Sequence, residues 1–172
     1  EFKNEDLISI DNIKIDNNCK TPRCGCMIKI KDIWIANTHL CGGRYDDRNY
    51  QELVNEKSNE LEILWNKQNF DIITGDFNSY QNKEIVNQQL NEYDLYQGAR
   101  DQGSAEIYQR YASDGHQYLE GLGLNKAYTV GSNDGQINQT SKFGNVIDWI
   151  YYQPNKLSLL EHPKQINSFN LS

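Results

Sequence analysis

The stretch "DIITGDFNSY", residues 71–80, poses the question on which the fold turns. Phe70 to Ile73 has the apolar character of a buried strand, and the chain then turns abruptly polar at Gly75-Asp76-Phe77-Asn78. Residues two apart on an extended chain share a side. A strand that runs out to Asp-x-Asn therefore aims a carboxylate and a carboxamide into one cleft beyond the sheet edge, where loops commonly carry function. The pair suits phosphate-ester hydrolysis: an Asp orients or deprotonates water, and an Asn donates hydrogen bonds to a phosphoryl oxygen without adding repulsive charge. Gly, Asp and Asn are also turn formers, so the tetrapeptide by itself reads equally well as a plain turn.

The flanking sequence supplies the elements around this strand. Residues 26–38 alternate apolar and polar on either side of Lys31-Asp32, and Ile28, Ile30, Ile33 and Ile35 fit a tight hairpin running into Thr38-His39. The glycine loop "CGGRYDD" follows, then a helix over about 47–68, where Tyr50, Leu53, Val54, Lys57, Leu61, Leu64 and Trp65 recur at helical spacing. A strand is expected at 70–75 and helices at 82–92 and 104–120, the latter broken near Ser113-Asp114-Gly115. A polar loop spans 131–143, and "NVIDWIYY", 145–152, is a final strand rich in β-branched and aromatic residues. Strands alternating with helices, without repeats, heptads or a linker, describe one α/β unit.

Composition narrows the partners. The 172 residues carry a net charge of −7, which argues against a purely electrostatic grip on nucleic acid. No run of 18 apolar residues is present, so no transmembrane helix is expected. The first residues lack the charged-then-apolar pattern of a signal peptide. The even cysteine count and two sequons, a number that chance alone predicts, leave secretion open. Cys19, Cys24, Cys26 and Cys41 permit two disulfides in three pairings. Cys24, Cys26, His39 and Cys41 lack the usual C-x2-C spacing of a zinc knuckle, so thiols or disulfides are favoured over zinc.

Two further strand ends bear on the Asp-x-Asn signal. "IANTHL" ends a strand on His39, and "VIDWIYY" places Asp148 inside an apolar strand, which is unfavourable unless the carboxylate finds a partner. The ordered set "NTHL" (37–40), "GDFN" (75–78) and "IDWIYY" (147–152) resembles the endonuclease/exonuclease/phosphatase superfamily, the deoxyribonuclease-like fold, across nearly the whole chain. The resemblance implies a portion of a four-layer α/β sandwich: two packed, mostly antiparallel sheets flanked by helices. It implies a phosphoesterase acting on a phosphodiester or phosphomonoester through an activated water, with a nuclease somewhat favoured. By resemblance, Asp76 positions or activates that water. Asn78 binds metal-side or scissile phosphate oxygens and is a possible metal ligand, His39 hydrogen-bonds the phosphate, and Asp148 assists the histidine or the metal region. Arg44 and Tyr45, in the loop after His39, are plausible substrate contacts. The implied cofactor is Mg2+, or Mn2+ or Ca2+. Nucleic acid, inositol phosphates and phospholipid all remain open as substrates.

The departures from the family are part of the same reading. The superfamily supplies a metal-ligating glutamate from an early strand and an Asp-His pair on the last one. Here Glu1, Glu5 and Asp6 stand in the wrong context, and the chain stops at Ser172. Residues 1–172 are therefore expected to be a single incomplete domain, inactive on its own, within a longer enzyme. The alternative is a catalytically inactive superfamily module that serves as a structural or binding subunit.

Overall fold

The structure, a computed structural model, describes residues 7–15, 23–42, 50–79, 115–131, 134–137, 140 and 146–163. Among the described residues ten elements follow one another: β1 (Leu7–Lys14), β2 (Cys24–Ile30), β3 (Ile33–His39), α1 (Tyr50–Lys67), β4 (Ile72–Asp76), α2 (His116–Gly121), β5 (Asn125–Lys126), β6 (Thr129–Val130), β7 (Gln136–Ile137) and β8 (Asp148–Tyr152). Six strands form one sheet in the order β1-β2-β3-β4-β8-β5, and β6 and β7 form a second, small sheet. The architecture is mixed α/β, an α/β sandwich with helices beside a mostly antiparallel sheet. In the large sheet β3 and β4 are parallel, because α1 carries the chain across from one to the other, and the other pairings are antiparallel.

The period-2 pattern of the strands becomes a two-faced sheet. Met27, Ala36, Ile73, Trp149 and Tyr151 point to one face and are fully buried with Leu61 and Leu64 of α1 and Leu119 of α2. Gly25 is bare for a reason: a Cβ there would come 2.6 Å from Leu64 Cδ2, so the helix seats directly on β2. The opposite face, with Ile28, Ile35 and Ile72, is half-buried, and Ile150 is more open still. α1 presents Leu53, Val54, Leu61 and Leu64 inward, as its spacing predicts.

Several boundaries differ from the sequence reading. β1 was not anticipated: Asp11 and Asn12 interrupt its alternation, and its register breaks between Leu7 and Ser9. β4 begins at Ile72 rather than residue 70, because Asp71 is used elsewhere. Its N–H donates to Trp34 O, and its carboxylate accepts from Trp34 N–H and from Lys156 Nζ. β8 begins at Asp148 rather than residue 145, so this aspartate opens the strand half-buried instead of lying inside it. Within the expected polar loop, Gln136–Ile137 pairs with Thr129–Val130, and this small sheet is parallel. The expected helix at 82–92 and most of that at 104–120 lie outside the described residues; the latter's end is α2, which starts after Gly115. No helix among the described residues is long and apolar enough to cross a membrane.

Candidate active site

Sheet register assembles the site. His39, the last residue of β3, pairs with Asp76, the last residue of β4, and Asp76 pairs with Asp148, the first residue of β8. Partners across a sheet share a face, so three polar side chains from distant parts of the chain form one row. They line a cavity of about 450 Å³ together with Asn37, Thr74 and Tyr128.

The turn after β4 controls where Asp76 points. Gly75 has φ +140°, and a Cβ there would fall 1.8 Å from Thr38 O, so only glycine lets the two strands close up beside the site. Leu40 N–H donates to Asp76 O at 2.9 Å, and Phe77 N–H donates to Ile147 O at 2.8 Å. Asn78 then enters the left-handed region at φ +48°, and its N–H donates to Asp76 Oδ1 at 2.8 Å. This is the local bond that Asp makes at turns. It occupies one carboxylate oxygen and leaves Oδ2 toward His39 Nε2, 3.5 Å away.

Asn78 does not line the cavity with Asp76. Asn78 is buried, and its Nδ2 donates to Leu40 O at 2.9 Å. The asparagine ties the turn after β4 to the chain after β3. Arg44 and Tyr45 lie outside the described residues.

Arg23 was not singled out from the sequence. Its Nη1 lies 3.1 Å from His39 Nε2 and 3.3 Å from Nδ1, so a guanidinium stands over the imidazole. A signal for it existed: the two-residue turn at Lys31-Asp32 puts Gly25 opposite Thr38, which brings the start of β2 beside His39. Tyr128 was also missed. It stacks on Trp149 at 5.3 Å, and its hydroxyl donates to the Asp148 carbonyl. Thr140 Oγ1 accepts from the N–H groups of both Ile147 and Asp148, at 3.0 and 3.1 Å, which fixes the start of β8.

The electrostatics set two titrating groups against each other. Burial holds the Asp76 carboxyl above its ordinary range. The Asn78 amide, His39 and Lys57 oppose this, and Asp148 adds to it. Burial, helped by Arg23, holds His39 below its ordinary value, against Asp76 and Asp148. A neutral imidazole can accept the Arg23 N–H, which fits that direction. Burial and the Asp148 charge push the Tyr128 hydroxyl up, so it stays protonated and remains a donor.

Among the described residues, the divalent cation implied by the motifs does not find a complete donor set. No group of three or more His, Cys, Asp or Glu close enough to hold a metal ion occurs among the described residues. Cys41 is disulfide-bonded, while Cys24 and Cys26 are free thiols.

No family model matches the chain, and no curated protein does. Among solved structures it is similar to the inositol polyphosphate 5-phosphatase domain of SPsynaptojanin, crystallised with inositol (1,4)-bisphosphate and a calcium ion. The identity is 15% and the TM-score 0.38, over 87% of this chain and 48% of that one. The chain thus spans about half the length of that solved chain.

Proposed function

We propose that the His39–Asp76–Asp148 row is the phosphate-ester-hydrolysing centre of the protein that contains this chain. The observation that carries the reading is the register itself: three groups of the kinds used in hydrolysis meet at one cavity, with the Arg23 guanidinium against the His39 ring. In this reading a phosphoryl group enters with its oxygens toward Arg23 and His39. The Arg23 charge favours the anion and the charge that grows on it during attack. Asp76 Oδ2 accepts the proton of the attacking water and orients it, while Oδ1 stays tied to the Asn78 amide. Asp148 holds the far side of the cavity, opposite His39. Asn78 serves by holding the turn rather than by touching substrate.

Nucleic-acid phosphodiesters are the first substrate class, with inositol phosphates and phospholipid headgroups next. Mg2+ is the cation that the motifs imply, with Mn2+ and Ca2+ beside it. No step above is routed through it, because the described residues do not complete its site. The second reading is an inactive module that binds phosphate esters without cleaving them.

The test is a panel assay of the full-length protein on plasmid DNA, RNA, an inositol polyphosphate and a chromogenic phosphodiester, each with Mg2+ and with EDTA. Cleavage that EDTA abolishes supports a metal-dependent phosphoesterase, and the preferred substrate names its class. Cleavage that survives EDTA removes the cation. Phosphate-ester binding with no cleavage under either condition supports the inactive module.

A further inference from the structure

Helix α1 buries three ionisable residues, Glu56, Lys57 and Glu60, in the stripe that should be apolar, and the last two most completely. Lys57 and Glu60 are both 0% exposed. A buried charge is retained only where hydrogen bonds and partners compensate its lost hydration, a penalty of several kcal/mol per ion. What these two hold is specific. Lys57 Nζ donates to Asn78 O and, at 3.1 Å, to Ser79 Oγ. One helical turn further on, Glu60 Oε2 accepts the Cys41 N–H at 2.8 Å. Asn78 lies two residues beyond Asp76, and Cys41 lies two residues beyond His39. The two segments are also tied to each other, through Asn78 Nδ2 to Leu40 O and Leu40 N–H to Asp76 O.

A rigid helix therefore grips both strand-end segments from behind, at two points three residues apart on one face. Ser79 extends the grip: its hydroxyl donates to Phe77 O and accepts from Gly115 N–H, and its carbonyl accepts from Trp149 Nε1. We infer that Lys57 and Glu60 are positioning residues, a clamp on α1 that sets the separation of His39 from Asp76. A purely hydrophobic pair of similar volume would fill the same space and is often no less stable than buried charges. Packing alone therefore does not explain why a lysine and a glutamate stand here. The Lys57 charge also favours the ionised form of Asp76, in keeping with its place directly behind the turn.

The inference rests on the proposed function only where turnover is read, and the test separates the two. In the full-length protein, Lys57→Met is compared with wild type, alone and combined with Asp76→Asn. The expected result is a loss of roughly tenfold in kcat with KM within about threefold, shrinking to less than about threefold in the Asp76→Asn background, because residues that act as a unit are non-additive. Equal losses in both backgrounds would overturn the inference, since a merely structural role lowers both alike.

Amide hydrogen exchange gives the readout that needs no activity. Lys57→Met should speed exchange at Leu40 and Asn78 by roughly tenfold while Ile73, in the middle of β4, keeps its protection. Unchanged exchange at Leu40, or an equal loss at Ile73, overturns the clamp even if the protein cleaves phosphate esters. The expected pattern in a protein that cleaves none upholds the clamp and removes only the function. If Lys57→Met fails to fold, Ser79→Ala removes the hydroxyl that accepts from Lys57 and keeps the ammonium. It should reproduce the same pattern at about a third of the size, and its absence counts against the clamp.

Discussion

Replacing Asp76 with asparagine isolates charge from shape. Asn keeps an oxygen that can accept the Asn78 N–H now bonded to Asp76 Oδ1, so the left-handed turn survives. The variant loses the carboxylate that faces His39 Nε2 at 3.5 Å, and with it the basic oxygen that would take a proton from water. A general base contributes roughly 10²–10⁴ in rate, which is about 3–5 kcal/mol of transition-state stabilisation. Stability should move the other way. Burial raises the folded-state pKa of Asp76 above its unfolded value, so the protonated form is the one favoured by folding. The stability linked to it is fully present below the unfolded carboxylate value and is lost as pH rises through the raised folded value. At neutral pH the ionised group is a burden, and Asp76→Asn should melt at or slightly above wild type, with the difference vanishing in acid. Asp76→Ala makes the contrast: it also removes the acceptor for the Asn78 N–H, a loss of about 1 kcal/mol, or about 2–4 °C for a domain of this size. Turnover and thermal melts on both variants check this. Wild-type turnover in Asp76→Asn, with an unchanged melt, would reduce "GDFN" to a turn.

Asn78→Ala should do the reverse, falling mainly on the fold. It loses the bond to Leu40 O and forces alanine into the left-handed region, together about 2–3 kcal/mol and roughly 5–10 °C in the melt, and Asn78→Gly should recover the backbone share. Arg23→Ala should weaken binding of a phosphate ester by roughly 10–100-fold, since a hydrogen bond to a charged group is worth about 1.5–3 kcal/mol, and isothermal titration reads it. The same substitution tests the electrostatics. His39 should titrate below its ordinary value of 6.5 in the wild type and move upward in Arg23→Ala, as followed by the imidazole NMR signals. Because its folded pKa is lowered, the stability linked to His39 is present above the ordinary histidine value and lost as pH falls through the lowered one.

The members of the row were singled out in the sequence before any coordinates. His39 and Asp76 each close a strand whose apolar pattern is local, and local pattern is what periodicity records; Asp148 read as lying inside its strand, and only pairing with β4 shows that it opens it. The hairpin about Lys31-Asp32, the buried stripe of α1 and the α/β class followed from the same signal. β1 did not, because Asp11 and Asn12 break its alternation, and its strand character comes from pairing with β2. The place of Asn78 was not legible either. An extended chain sends Asp76 and Asn78 the same way, but Asn78 does not line the cavity and is bonded instead to Leu40, a residue distant in sequence. Arg23 over His39 needed the hairpin's register, and the tie of Asp71 to Trp34 and Lys156 needed three separate segments to meet. Lys57 shows the limit most plainly. Its position in the helical stripe was legible, but its work was not, because what a buried ammonium does depends on which carbonyl and hydroxyl the fold brings within about 3 Å of it. Sequence determines which face of an element is buried; only the meeting of elements decides what a buried polar group holds.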